Sequence, residues 1–105
     1  MVSVNVGGLS EWASGEARRV MVGEVAVAVV RIDDSVYAIG DVCTHANVSL
    51  SEGTVWDDEC ALECPRHGSA FDLRTGEPNS LPATQPARVF VARVEDGNVM
   101  IEVES

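Results

Sequence analysis

Two short segments contain both histidines of the chain and two of its three cysteines. The first reads Cys43-Thr44-His45, and the second reads Cys64-Pro65-Arg66-His67. Each segment offers one thiolate and one imidazole, so two such segments brought together supply two sulfur and two nitrogen ligands. A set of this kind suits tetrahedral zinc or an iron–sulfur cluster. The chain is therefore expected to fold so that the two segments meet around a metal centre.

The spacing within the two segments bears on the choice between these centres. Structural zinc sites usually pair like residues, cysteine with cysteine and histidine with histidine, a few positions apart. Here each cysteine is paired with a histidine, and a single residue separates Cys43 from His45. This pairing favours an iron–sulfur cluster, with a structural zinc module as the open alternative.

Length and composition indicate one domain. The chain has 105 residues, of which 46% are apolar, which is enough for one buried core and argues against disorder. The longest apolar run, 25–30, is far shorter than the roughly 20 residues that cross a bilayer. The first residues lack the basic and apolar parts of a signal peptide, and an odd cysteine count speaks against a disulfide framework. We expect a single domain over 1–105, located in the cytoplasm without a membrane anchor.

Charge excludes one class of partner. The chain carries 17 acidic residues against 7 Lys and Arg, a net charge of −10. Nucleic acid is not an expected partner, because phosphate binding needs clustered Lys and Arg. The acidic residues are spread along the chain, which is typical of a solubilising surface. Steering toward a basic partner protein is the other interpretation.

The pattern of apolar and turn residues is almost entirely that of β-structure. Valine in Val25-Ala26-Val27-Ala28-Val29 alternates with an equally apolar residue, so this strand is predicted to be buried on both faces. Only 9–13 and 47–51 have the character of a helical turn. One all-β domain is predicted, with strands at 17–22, 25–32, 35–40, 54–56, 59–63, 88–95 and 98–103.

The order Cys-x-His, eighteen residues, Cys-x-x-His resembles the Rieske [2Fe–2S] signature. The likeness continues beyond the four residues and covers nearly the whole chain from Val25 onward. It is carried by Leu50-Ser51-Glu52-Gly53, by Gly68-Ser69, by Phe71-Asp72-Leu73-Arg74-Thr75-Gly76, and by Leu81-Pro82-Ala83 with Pro86, which resemble the family's proline-containing loop beside the cluster.

This resemblance implies an antiparallel β-sandwich with a small cluster-binding subdomain. It also implies one [2Fe–2S] cluster per chain, with Cys43 and Cys64 on a buried iron and His45 and His67 on an iron nearer the surface. Two ferric ions, two sulfides and two thiolates sum to zero charge. An electron is easier to add to this neutral core than to a four-cysteine cluster, so histidine ligation raises the potential.

Three positions depart from the Rieske proteins of respiratory and photosynthetic complexes. Those proteins carry a disulfide between extra cysteines where this chain has Val48 and Arg66, and a tyrosine where it has Phe71. Ser69 is retained, and the family pattern implies a hydrogen bond from its hydroxyl to a bridging sulfide. Fewer hydrogen bonds to sulfur stabilise the reduced state less, so we predict a potential near the low end of the Rieske range, on the order of −150 mV.

The implied function is that of a soluble one-electron carrier. The chain resembles the Rieske-type ferredoxins of bacterial multicomponent oxygenases, notably aromatic-ring dioxygenases, which pass electrons from a flavin-dependent reductase to a terminal oxygenase. Both histidines are used by the cluster and no Gly-x-Gly-x-x-Gly fingerprint is present, so no second catalytic centre is expected. The alternative is a small Rieske subunit of an assimilatory nitrite reductase. A free carrier would be a monomer.

Several residues have no place in the ligand set. Cys60 is expected to be a small apolar residue buried in a hairpin, and Arg66 is either an exposed loop residue or a contact to a partner. Four glycines are interpreted as turn residues with positive φ: Gly53, Gly68, Gly76 and Gly97.

Overall fold

The computed structural model describes residues 2–42, 48–66, 68–79 and 86–103. These residues form nine strands, together with 3₁₀ turns at Leu9–Glu11 and Leu50–Glu52. The strands are β1 (Val2–Gly8), β2 (Glu16–Val22), β3 (Val25–Ile32), β4 (Ser35–Gly40), β5 (Thr54–Trp56), β6 (Ala61–Glu63), β7 (Ala70–Asp72), β8 (Val89–Glu95) and β9 (Asn98–Val103).

The described strands are arranged in two antiparallel sheets. The larger has six strands in the order β1-β9-β8-β4-β3-β2, and the smaller has three in the order β5-β6-β7. The smaller sheet lies between β4 and β8 in sequence, and both predicted ligand segments border it. The prediction of an all-β, antiparallel body with a small additional subdomain is confirmed.

Strand β3 connects two apolar clusters. Its residues 27–30 are fully buried, and because successive side chains alternate across a strand, they divide between the two faces. Ala28 and Val30 pack with residues of the small sheet, while Val27 and Val29 pack with Trp12 and other residues on the opposite face. The predicted burial of both faces is correct over 27–30 and wrong at Val25, where β3 begins and which is exposed.

Three details differ from the prediction. Strand β1 was not predicted, and neither was the short β7. Strand β6 begins at Ala61 rather than two residues earlier, because Cys60 has a φ of 53°, which lies outside the extended region. Cys60 is half-buried at the end of the preceding turn, and its thiol does not take a place in the strand's alternation.

The glycines have two different roles. Gly68, Gly76 and Gly97 have φ near +78°, as predicted. Gly53 has a φ of −85°, so the prediction of positive φ is wrong there. A Cβ at Gly53 would instead overlap the carbonyl oxygen of Glu63, and glycine is required because two backbone segments approach closely.

Among the described residues, no helix has the length and apolar character needed to span a membrane.

Candidate metal centre

Cys64 is the one predicted ligand among the described residues, and Cys43, His45 and His67 lie outside them. Cys64 directly follows β6 and is fully buried. Its N–H donates to the carbonyl of Ser69 at 2.7 Å, and its carbonyl accepts the N–H of Gly68 at 3.2 Å. The positive φ of Gly68 allows this tight reversal of the chain. The second ligand segment is therefore a closed turn between β6 and β7.

The surroundings of the Cys64 thiol are apolar. Cys64 belongs to the same buried cluster as Leu50, Leu62 and Phe71. A thiol in such a site is shielded from water and from exchange with other thiols. This environment fits a ligand on the inner side of a metal centre.

The residues that flank Cys43 and His45 in sequence are also held together by backbone hydrogen bonds. Val42 and Ser49 form an antiparallel bridge, and the N–H of Leu50 donates to the carbonyl of Asp41. These backbone bonds hold residues 41–42 beside residues 49–50. The first ligand segment therefore starts and ends at one place in the fold.

A buried carboxylate reinforces this closure. Asp41 is 1% exposed, and its carboxylate accepts a hydrogen bond from the Ser49 hydroxyl and another from the N–H of Ser51 at 2.9 Å. The Nε atom of Arg19, on β2, lies 3.3 Å from the same carboxylate. Sequence reasoning missed Asp41 and Arg19, because an isolated Asp near a strand end carries no local signal that it will be buried.

Residues that follow the first ligand segment lie close to the start of the second. Leu50, five positions after His45, packs in the same cluster as Cys64. Gly53 lies against the carbonyl of Glu63, the residue before Cys64. The described residues thus bring 50–53 next to 63–64.

The chain that leads into the predicted proline-containing loop is held beside β7. Leu81, Pro82 and Ala83 lie outside the described residues, while Pro86 is exposed. Asn79 makes two hydrogen bonds with Ala70. The side-chain oxygen of Asn79 accepts the N–H of Ala70 at 3.0 Å, and the N–H of Asn79 donates to the carbonyl of Ala70 at 2.8 Å. These contacts hold the start of the loop next to β7.

Two further residues of the resemblance are buried. Ser69 and Phe71 are fully inaccessible to solvent. The predicted hydrogen bond of Ser69 to a sulfide stays a prediction. Phe71 contributes a ring without a hydroxyl to the cluster around Cys64, which is consistent with the missing donor noted in the sequence.

Cys60 has a different environment from Cys64. It is half-buried. The pKa of Tyr37 is raised chiefly by a hydrogen bond with the Cys60 thiol and secondly by the burial of Tyr37 itself. The Cys60 carbonyl accepts the N–H of Leu73 at 2.8 Å. Cys60 thus joins the small sheet to β4, which extends the predicted packing role. Arg66 is exposed.

Comparison with known families decides what this site is. The profile described as "Rieske [2Fe-2S] domain" matches residues 3–98. The chain belongs to the Rieske [2Fe–2S] domain family. The match reaches further toward the N-terminus than the resemblance read from the sequence, and it covers most of the single domain predicted over 1–105. The cofactor of this Rieske domain is a [2Fe–2S] cluster.

Named Rieske proteins are similar over nearly the whole chain. Ferredoxin CarAc of Metapseudomonas resinovorans is 46% identical over 96 residues, which cover 90% of this chain and 88% of that one. The ferredoxin of carbazole 1,9a-dioxygenase from Nocardioides aromaticivorans IC177 has a TM-score of 0.95 at 34% identity, covering 99% and 100% of the two chains.

Two further solved structures bear on partners. A chain in the complex of reduced oxygenase and oxidized ferredoxin in carbazole 1,9a-dioxygenase is 44% identical, with a TM-score of 0.86 and coverage of 94% and 100%. The putative NADH-dependent nitrite reductase small subunit from Mycobacterium tuberculosis also has a TM-score of 0.86, at 26% identity and coverage of 99% and 97%.

The residues of this Rieske domain fit the cluster. Cys64, whose thiol is fully buried, lies in a tight turn. Leu50, which follows the first ligand segment, packs in the same cluster. One thiolate and one imidazole from each segment would complete the two-sulfur, two-nitrogen donor set that defines Rieske centres.

Proposed function

We propose that this protein is a one-electron carrier, the ferredoxin component of a multicomponent oxygenase system. The observation that carries the proposal is 44–46% identity to ferredoxins over at least 90% of the chain, combined with the family's cluster. A Rieske [2Fe–2S] cluster takes up and releases single electrons and transforms no substrate by itself. The protein is accordingly not an enzyme but the electron-transfer partner of one.

The proposed ligands are Cys43, His45, Cys64 and His67. Complete burial of Cys64 supports its assignment, together with Cys43, to the inner iron. Exposure of the neighbouring Pro65 and Arg66 supports a position near the surface for His67. Electrons then leave through the histidine side, since transfer requires a short path to the partner.

The proposed partners are a flavin-dependent reductase, which supplies the electron, and a terminal oxygenase, which receives it. The ferredoxin of similar sequence in a complex with oxygenase supports the second partner. Contact through a small, transient interface allows the carrier to meet each protein in turn. We propose that the carrier works as a monomer in the cytoplasm.

The small subunit of a nitrite reductase is the weaker alternative. Its TM-score of 0.86 equals that of the ferredoxin in the oxygenase complex, but its sequence identity of 26% is below the 34–46% of the ferredoxins reported above. A fixed subunit would co-purify stoichiometrically with a large enzyme, whereas a carrier purifies alone. A structural zinc module is separated from both by metal content, because it would contain one zinc and no acid-labile sulfide.

The test is electron delivery. The chemically reduced protein is mixed with a purified aromatic-ring oxygenase, and re-oxidation is followed by visible absorbance with and without the oxygenase. Rapid, saturable re-oxidation that depends on the oxygenase supports the proposal. Re-oxidation at the oxygenase-free rate with every oxygenase tried, together with co-purification with a nitrite reductase, would refute it.

The salt dependence of the same rate separates the two interpretations of the acidic surface. A net charge of −10 that steers the carrier to a basic partner gives a rate that falls severalfold as salt screens it. A surface that serves solubility alone gives a rate that is insensitive to salt.

A further inference from the structure

Asp41 makes three hydrogen bonds to residues 49–51, on the other side of the first ligand segment. Its carbonyl accepts the N–H of Leu50, and its carboxylate binds the Ser49 hydroxyl and the Ser51 N–H. Asp41 precedes Cys43 by two positions, and residues 49–51 follow His45 by four to six. One residue therefore joins the two ends of the segment through both its main chain and its side chain.

Burial of this carboxylate is costly without compensation. Removing an ionised group from water is unfavourable unless it is paired and hydrogen-bonded. Asp41 receives two hydrogen bonds and one cation, Arg19, whose own side chain is 56% exposed. A half-exposed arginine on a strand of the main sheet thus neutralises a buried charge beside the ligand segment.

We propose that Asp41 is a positioning residue for Cys43 and His45, with Ser49 as its anchor and Arg19 as its counter-charge. The proposal rests on the ligand set given under Proposed function. Ordering a segment costs conformational entropy. Joining its ends by hydrogen bonds lowers that cost before the cluster is bound, so the same bonds slow the release of the cluster.

A matched pair of serines tests the anchor. Ser49 donates its hydroxyl to Asp41, whereas Ser51 reaches Asp41 through its backbone N–H, and its hydroxyl contacts that of Ser49 at 3.1 Å. Ser49→Ala removes a bond to the carboxylate, and Ser51→Ala removes a hydroxyl of the same size without doing so. Ser49→Thr keeps the hydroxyl and serves as the rescue.

The first measurement is the rate at which visible absorbance is lost from the holoprotein in excess chelator. A hydrogen bond to a charged group is stronger than one between neutral groups, so Ser49→Ala is expected to lose its cluster about tenfold faster or more. Ser51→Ala and Ser49→Thr should stay near the wild-type rate. Equal rates of cluster loss for Ser49→Ala and Ser51→Ala would overturn the role of Ser49 as the anchor of Asp41.

The second measurement is the reduction potential, which a purely structural contact would not change. Arg19→Gln leaves the charge of Asp41 uncompensated and should lower the potential, because added negative charge disfavours electron uptake. Arg18→Gln is the control, since it removes the same charge from the adjacent position of β2, where Arg18 pairs with Glu16. Equal shifts in the two variants would overturn the role of Arg19.

Failure of the ligand set and failure of the role of Asp41 give different results. Wild-type protein without iron and sulfide would overturn the ligand set, and this proposal with it. Wild-type protein with a full cluster, whose release Ser49→Ala leaves unchanged, overturns only the role of Asp41.

Discussion

Gly53 lies against the carbonyl oxygen of Glu63, so closely that a Cβ at position 53 would overlap it. Gly53 ends the turn after the first ligand segment, and Glu63 precedes Cys64 at the start of the second. The contact is therefore a point where the backbone after the first segment meets the backbone that leads into Cys64.

Gly53→Ala should separate these backbones. Overpacking of a close contact costs about 1–3 kcal/mol, and here the partner is backbone that has little freedom to move. We expect a lower unfolding temperature and reduced iron content per chain. Gly40→Ala is the control, because a Cβ there meets its nearest neighbour, the Cβ of Arg88, at an ordinary 3.8 Å. Equal effects of the two substitutions would contradict the account.

The reduction potential is expected near the low end of the Rieske range, on the order of −150 mV. Phe71, which packs in the cluster with Cys64, has no hydroxyl to donate to sulfur. Phe71→Tyr should raise the potential by about 40 mV, the equivalent of roughly 1 kcal/mol for one electron. Protein-film voltammetry measures both values, with Phe71→Leu as the control that adds no donor. A wild-type potential above zero would contradict the prediction.

Asp72 and Arg74 form an ion pair that stabilises the turn between β7 and Gly76. Hydrogen bonds from the Arg74 side chain hold the pKa of Asp72 below its ordinary value. A lowered folded-state pKa gives stability that is fully present above the unfolded-state pKa of about 3.9 and is lost as pH falls through the folded-state value.

Asp72→Asn should therefore reduce the free energy of unfolding at pH 7 by a few tenths to about 1 kcal/mol, since the pair is largely exposed. The difference from wild type should shrink as the pH falls below about 4. Urea unfolding followed by tryptophan fluorescence measures it. A difference that stays constant from pH 7 to pH 3 would show that the carboxylate charge is not its cause.

Cys60 is predicted not to bind the cluster. Cys60→Ala should retain the wild-type content of iron and acid-labile sulfide. It should also lower the pKa of Tyr37, because the hydrogen bond with the thiol is the largest cause of its elevation. Tyr37 is the only tyrosine of the chain, so ultraviolet titration reports on it directly. Loss of iron in this variant would make Cys60 a ligand.

Most of the fold could be predicted from local patterns. The alternation in β3 and the turn dipeptides flanking it give strands whose partners lie next to them in sequence. Strand β1 was missed although Val2-Ser3-Val4-Asn5-Val6 alternates apolar and polar residues; its pairing with β9, at the other end of the chain, has no local signal. Strand β7 is three residues long and depends on β6 for its hydrogen bonds.

The proposed ligand set comes from the spacing of cysteine and histidine and from the family resemblance that this spacing carries, and it stays a prediction. The supporting residues do not follow in this way. The burial of Asp41 depends on Arg19, from a strand more than twenty positions earlier, and the need for Gly53 depends on Glu63. Both relationships exist only after strands have paired, β2 with β3 and β3 with β4 in the larger sheet and β5 with β6 in the smaller one.

The most direct test of the account is the cofactor content of single histidine variants. Iron, acid-labile sulfide and visible absorbance are measured for the wild type, His45→Ala and His67→Ala. We predict two irons and two sulfides per wild-type chain, as in a Rieske [2Fe–2S] domain, and a marked loss of both in each variant. Variants with the full wild-type iron content and an unchanged spectrum would contradict the proposed ligands.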